Sequence, residues 1–453
     1  MPTILGANSV SDTGYNVAQS TMIDTNAYYY RTASGGSQRT FTLSFWVKRS
    51  MFNTGHHHYV FSAYQDADNR ISIAFLSTET FIVYAQTSSG QQLIHETVKK
   101  FRDPSAWYHI VVAMDTTQGT ASNRLKIYVN GVQETTFASG QAYPDQNEDL
   151  ITNTTIYIGA YTTSANFFHG YLAEYVYIDG SALAPTSFGE FDDDSPNIWK
   201  PIDVSGLTFG TTGFYLDFAT RATDPIDASG NGNNFSSTNV LAVDHRTDTC
   251  TNNYAVINPL HYQSRNSSIT EGNLKILSDT SDAWDTHYGI SSIAVSSGKW
   301  YVEAKVTTTT TSQNILGIIS TSQFINSSLK DNGVAAVERN GRITGGGNNI
   351  QTGLTAFSNG DIAAVAFDAD NGTAQFYRNG STYGNQVTSI ASDEYYFATT
   401  TYDTGGVVEL NFGGGTSFSI STGNSDDNNY GNFEYDVPDG YYALNTKNLA
   451  EFG

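Results

Sequence analysis

A chain of 453 residues with 44 acidic against 22 basic side chains carries a net charge of −22, which repels phosphate backbones and anionic lipid heads and argues against nucleic acid as a partner. Its single cysteine, Cys250, excludes an intrachain disulfide. Apolar residues make up 39%, aromatics 13% and charged residues 15%, with 41 glycines; that balance favours many strands and turns, and the length suits two cores. No run approaches ~18 consecutive apolar residues, so membrane insertion is not expected. The start, Met1 to Gly6, has neither the basic n-region nor the apolar stretch of a signal peptide, so the expectation is folding in a cytosol or export by a route that leaves no such mark.

In chain order, residues 1–20 are polar and small and read as an arm, a candidate attachment segment. From Thr40 to Val47 the run Thr-Phe-Thr-Leu-Ser-Phe-Trp-Val alternates with period two, the mark of a strand with one buried face. Further strands are predicted at 59–64, 70–76, 80–86, 107–115, 125–129, 155–160 and 170–178, which with 21–188 as a whole form a sandwich. Residues 189–250 change to acidic and Gly/Asn-rich text, including Asp227-Ala228-Ser229-Gly230-Asn231-Gly232-Asn233-Asn234. They read as a packed connection, with Phe214 to Phe218 as one added strand and Trp199 pinning it to the first sandwich. Strands resume at 274–277 and 298–306 and continue through 315–319, 363–367, 375–378, 395–399 and 407–412, giving a second sandwich over 251–453. No segment shows helical periodicity. In each half an aromatic-rich strand runs into Asn-Gly, at Asn130-Gly131 and Asn379-Gly380; both residues of a type I′ turn need positive φ, so each is a hairpin tip. The expected fold class is all-β, two antiparallel β-sandwich (jelly-roll type) domains in tandem.

Residues about 22 to 185 resemble the laminin-G-like, concanavalin A-like lectin fold. The carriers are Phe41 to Val47, Trp107 to Val112, Lys126 to Gly131, Ile156 to Gly159 and Phe168 to Tyr177. Residues about 250 to 447 resemble a SPRY-type domain through Ser297 to Glu303, Leu316 to Ile318, Gly360 to Ala363, Asp368 to Gly380 and Val408 to Gly413. The tandem order, with Gly6-Ala7-Asn8-Ser9 and the Asp227 to Phe235 junction, is similar to virion proteins of marine bacteriophages. That resemblance implies a fibre or capsid decoration, located in the virion after assembly in the host cytoplasm. Its partners would be other virion proteins and further copies of itself, as a trimer if it is a fibre.

Candidate chemistry is sparse. A glycosidase on this fold needs two opposed carboxylates ~5–9.5 Å apart. The nearest approach, Glu190-Phe191-Asp192-Asp193-Asp194, is followed at once by Pro196 and reads as a solvated, turn-forming run. His56-His57-His58 reads as a polar loop tip; adjacent residues on extended chain point apart, which disfavours a shared metal. With Tyr59 these rings could instead touch a glycan or a neighbouring subunit. Asp66 and Asp68 supply hard oxygens two residues apart and could hold a rim calcium of the kind laminin-G-like domains often carry, although the twelve-residue loop pattern is absent. The corresponding Asp368-Ala369-Asp370-Asn371 reads as Asx-turn chemistry. Trp46, Trp107 and Trp300 lie inside strand patterns and read as core. Aromatics in loops with polar neighbours are the better sugar-stacking candidates: Tyr161 with Phe167, Phe168 and His169, and Tyr402 with Asp403. Tyr28-Tyr29-Tyr30-Arg31 is ambiguous between a ligand contact and packing at an oligomer interface. The run Gly345 to Gly347 lacks the Lys-Ser/Thr pair of a phosphate cradle and reads as a loop.

The expected function is therefore a non-enzymatic phage surface component that touches host cell-surface glycans, weak sites being multiplied across copies. Two other classes stay open: structural cement without sugar binding, and a polysaccharide depolymerase.

Overall fold

In the computed structural model the described residues are 14–52, 55–163, 166–193, 195–220, 224–260, 267–278, 288–308, 314–322, 329, 333–401 and 405–453. They divide into two compact units, one within Gly6–Thr251 and the other within Asn252–Gly453. Both are antiparallel β-structures, and the chain is all-β as its patterning implies.

Among the described residues the first unit has an eight-stranded sheet in the order Val132–Gln133, Leu125–Val129, Trp107–Asp115, Thr40–Arg49, Gly170–Asp179, Ser20–Ile23, His245–Arg246, with Phe214–Leu216 also on Gly170–Asp179. It faces a seven-stranded sheet in the order Ser236–Thr238, Tyr28–Thr32, Thr155–Ile158, His58–Asp66, Asn69–Phe75, Thr80–Thr87, Gly90–Lys100. Period-two alternation sends Phe41, Leu43, Phe45 and Val47 inward against Phe61, Ile71, Ile73, Phe81 and Val83, which form one apolar cluster. The strand Thr40–Arg49 departs from expectation on its other face, because Thr42, Ser44, Trp46 and Lys48 are buried too. The polar members are satisfied one by one. Thr42 Oγ1 donates to the Ser181 carbonyl at 2.7 Å. His109 bridges Ser44, at 2.8 Å from Nε2, and the Trp199 indole N–H, at 2.9 Å from Nδ1. Burial holds the His109 pKa down to about 3, so its ring is neutral. The Lys48 ammonium meets Asp248 at 2.7 Å.

What covers that face is the segment read as a connection. Trp199, Cys250, Val17 and Met22 pack with Trp46, Trp107 and Tyr171, while Phe188, Val204, Phe209 and Tyr215 pack on Val111, Val176 and Ile178. The described part of the expected arm joins in: Val17 N–H donates to Thr251 Oγ1 at 3.1 Å and Ser20 Oγ to the Asp248 carbonyl at 2.6 Å. The Asp227 to Asn234 loop locks itself. Asp227 accepts from the Tyr215, Ser229 and Asn233 N–H groups, and the Asn231 and Asn233 amides donate to the carbonyls of Gly210, Thr211 and Gly213. The acidic run is not structureless either: Gly189–Phe191 pairs with Trp199–Pro201, and Lys200 lies 3.5 Å from Glu190 and 3.3 Å from Asp192.

The second unit pairs Ser267–Thr270, Lys275–Ser278, Val407–Asn411, Lys299–Thr308, Ile362–Asp368, Thr373–Arg378 and Ser381–Val387 in one sheet, with Tyr442–Ala443 running parallel to Lys299–Thr308. Its second sheet runs Tyr288–Val295, Tyr395–Thr400, Asn314–Ser320, Gly333–Glu338, Arg342–Gly345, Asn348–Gln351. Trp300, Val302, Ala304 and Val306 fill the core with Leu316, Ile318, Val337 and Phe397. On the other face Glu303 is fully buried and accepts from Asn411 Nδ2 and from the backbone N–H groups of Glu434 and Tyr435, at 3.0–3.1 Å. The 344–347 run proves to be a hairpin tip between two short strands rather than a free loop. A seven-residue helix, Thr446–Phe452, capped by the Asn445 side chain, closes the chain against the absence of any helical signal in the sequence.

Both Asn-Gly turns carry the positive φ expected of them: Asn130 at 49° and Gly131 at 77°, Asn379 at 48° and Gly380 at 75°. Each asparagine does a second thing that its turn type does not require. Asn130 Oδ1 accepts from His109 N–H at 2.8 Å, and Asn379 Oδ1 from Ile362 N–H at 2.9 Å, so both stitch the tip to the strand alongside. A ring seals each glycine; a Cβ on Gly131 would lie 2.3 Å from Trp199, and one on Gly380 2.6 Å from Tyr435.

Candidate functional site: a tyrosine face on the seven-stranded sheet

Since the outer face of the eight-stranded sheet is covered by the chain's own connection, the outer face of the seven-stranded sheet is the first unit's strand-built surface for a ligand. Its composition follows from alternation. Tyr29, Ile156, Ile158, Phe61, Ala63, Ile71, Ile73, Val83 and Ala85 point to the core, so Tyr28, Tyr30, Tyr157, Ser62, Tyr64, Arg70, Ser72, Tyr84 and Gln86 point away from it. Strand register aligns them in rows. One row runs Tyr30, Tyr157, Ser62, Ser72, Tyr84 across five strands, and the next runs Thr155, Tyr64, Arg70, Gln86.

Two ring clusters result. Tyr161 leaves the strand Thr155–Ile158 and sets its ring 4.7 Å from Tyr59 and 5.3 Å from Tyr64. Phe167 stacks on Tyr28 at 6.1 Å, and Tyr28 lies 6.0 Å from both Tyr30 and Tyr157. Tyr30 is 38% exposed, and Tyr59, Tyr64, Tyr84, Tyr157, Tyr161 and Phe167 are half-buried. The Arg70 guanidinium sits 5.3 Å over the Tyr84 ring. Burial, then the neighbouring Tyr161, pushes the Tyr59 phenol to about 12, and burial raises Tyr161 likewise; the Arg70 charge opposes both rises. At neutral pH these hydroxyls keep their protons and can both donate and accept. The surface therefore offers flat apolar rings with polar edges, and one guanidinium.

The sequence candidates fall on different sides of this surface. Tyr161 and Phe167 belong to it. Phe168, their neighbour, is instead fully buried in the core, because its N–H pairs with the Gly159 carbonyl and turns the next side chain inward. His169 meets Asp24 at 2.6 Å and stands 5.3 Å from the His58 ring. His58 is not part of a loop tip: it opens a strand, is buried, and has its pKa lowered to about 3, first by burial and then by Arg49. His57 accepts from Ser77 N–H at 3.3 Å with its ring 6.3 Å from Tyr59, and His56 is exposed. Asp66 Oδ1 accepts from Asp68 N–H and Asn69 Nδ2, each at 2.9 Å, and Asp68 Oδ1 from Gln86 Nε2 at 3.2 Å. Those oxygens close their own turn, and among the described residues no three of His, Cys, Asp and Glu converge on one point. Tyr402 and Asp403 lie outside the described residues. Sequence reasoning left Tyr30 open between a ligand and an interface contact and passed over Tyr64 and Tyr84; each sits at the polar phase of an apolar alternation.

Comparison with known proteins bears on this unit. Residues 24–186 match the concanavalin A-like lectin/glucanases superfamily. That span holds both ring clusters. None of the curated proteins matches the chain. Solved structures similar to it include the SPRY domain of human HERC1, 16% identical over 36% of this chain and 99% of that one, with a TM-score of 0.29. A heptameric SAP-like pentraxin of Limulus polyphemus is 16% identical over 38% and 80%, with a TM-score of 0.29. A Bacteroides ovatus protein provisionally described as carbohydrate binding is 15% identical over 50% and 59%, with a TM-score of 0.33.

Proposed function

We propose that this chain is a non-enzymatic, carbohydrate-binding surface component of a bacteriophage particle, a fibre or decoration present in several copies, and that host-surface glycan is held on the tyrosine face of the first unit. The observation that carries the reading is the cluster of Tyr59, Tyr64 and Tyr161, with rings 4.7 and 5.3 Å apart on an outer sheet face. Such rings stack on the apolar C–H face of a pyranose while their hydroxyls exchange hydrogen bonds with sugar hydroxyls. The match of residues 24–186 to a lectin and glucanase superfamily supports sugar as the ligand class. Binding rather than cleavage is supported by the acidic run, whose Glu190 and Asp192 flank Lys200 instead of facing each other across a cleft. The tandem resemblance to marine phage virion proteins supports the particle, and repetition would let modest single-site affinity suffice.

The test is to mix the purified chain with marine bacterial cells and their extracted surface polysaccharides, and to assay the same samples for new reducing ends. Retention without new ends is expected. Retention nowhere would favour a purely structural role, and release of oligosaccharide would make the protein a depolymerase.

A further inference from the structure

We infer that the sugar taken by this face carries a carboxylate, as a uronic-acid polysaccharide does, and that Arg70 is the residue that reads it; the inference rests on the tyrosine face being the glycan site. In the first unit most buried or half-buried cations are spent on the protein. Lys48 pairs with Asp248, Arg49 with Glu79 and Arg246 with Asp244, and Lys200 lies between Glu190 and Asp192. Arg31 is held by Asn233, and Arg124 by the backbone carbonyls of Gln118, Gly119 and Pro144.

Arg70 differs. It is half-buried, has no carboxylate within ion-pair distance among the described residues, and rests on the Tyr84 ring at 5.3 Å. Its register neighbours are Tyr64 and Gln86, and its charge reaches the Tyr59 and Tyr161 hydroxyls. The nearest acids in sequence, Asp66 and Asp68, are engaged by Asn69, by the turn backbone and by Gln86. A planar guanidinium placed over one ring, with no carboxylate of the described residues paired to it, has a donor edge that suits a bidentate carboxylate. A pyranose stacked on Tyr59 and Tyr161 would bring a C6 carboxylate to that edge.

The experiment uses the full chain and its Arg70→Gln, Arg70→Lys and Tyr59→Ala variants, each checked for native circular dichroism. Binding is measured to polygalacturonate and alginate, to the carboxyl-reduced form of each, and to dextran, at physiological salt. Wild type is expected to hold at least one uronate polymer about tenfold tighter than its reduced form, the effect of one charge-assisted hydrogen bond. Arg70→Gln should bring the two within about twofold, with residual neutral binding retained; Arg70→Lys should fall between; Tyr59→Ala should weaken both forms. Equal affinity for charged and neutral forms, or a preference untouched by Arg70→Gln, overturns the assignment and leaves sugar binding standing. Binding to none of the five polymers overturns the assignment and the glycan reading beneath it.

Discussion

Replacing Asp248 by Asn should be among the most damaging single changes in the first unit, although Asp248 lies in the segment whose composition suggests a connection. Its carboxylate receives the Lys48 ammonium at 2.7 Å and the Trp107 indole N–H at 3.2 Å, with side-chain exposures of 0% for Lys48 and 3% for Asp248. Burial lowers the Lys48 pKa and Asp248 counteracts it, so the amide leaves a buried ammonium without its carboxylate. Breaking such a pair costs about 3–5 kcal/mol, against a total stability of about 5–15 kcal/mol for a domain; for a unit of this size that is about 6–20 °C in Tm. Urea unfolding followed by tryptophan fluorescence reads the loss directly. The deficit of Asp248→Asn should shrink as pH rises toward the ordinary lysine pKa, because the unfolded chain then binds a proton at Lys48 that the folded variant does not. A Lys48→Met, Asp248→Leu double variant should recover most of the loss, since apolar replacement of a buried pair is close to neutral. A cost under about 1 kcal/mol for Asp248→Asn would mean that the pair is hydrated and that the connection is not built into the sandwich.

In the second unit, burial raises the Glu303 carboxyl to about 7 from 4.5. Its proton is held more tightly in the folded state, so stability is full below the unfolded value and falls as pH rises through about 7, by about 3 kcal/mol. Denaturant titrations between pH 4 and 8 should show that slope, and Glu303→Gln should flatten it at some cost in baseline stability; an unchanged slope would refute the assignment. Asn130→Ala should cost about 2–3 kcal/mol by losing both the left-handed turn residue and the acceptor for His109 N–H, whereas Asn130→Gly should lose only the acceptor, about 1 kcal/mol less. Equal losses in the two variants by thermal melting would mean that the left-handed turn residue contributes nothing, and an Asn130→Gly variant as stable as wild type would mean that the stitch to His109 contributes nothing.

The strands were the legible part of this fold. Alternation along runs such as Thr40–Arg49 and Asn69–Phe75 marked strands, and the two Asn-Gly tips marked two hairpins. Gly90–Lys100 escaped because its text is largely polar and carries only Leu93 to the core. Thr446–Phe452 escaped because seven residues span under two turns, too few for a period to show. Alternation also cannot say whether a strand's second face meets water. Lys48 and Ser44 sit at the polar phase of their strand and are covered by Trp199 and residues near Cys250, which lie far along the chain and leave no mark on the local pattern. The same blindness hid the candidate site. Loop position singled out Tyr161 and Phe167, but Tyr64 and Tyr84 matter through cross-strand register, which no single strand encodes. Phe167 and Phe168 are adjacent in sequence and opposite in fate for the same reason.

The most direct test of sugar held on the tyrosine face is the affinity of a Tyr59→Ala, Tyr161→Ala double variant for whichever polysaccharide the wild-type chain retains. Removing two stacking rings should weaken binding by at least about tenfold while the circular dichroism spectrum and urea midpoint stay near wild type. Undiminished affinity in a folded double variant would place the sugar elsewhere on the molecule and contradict the account.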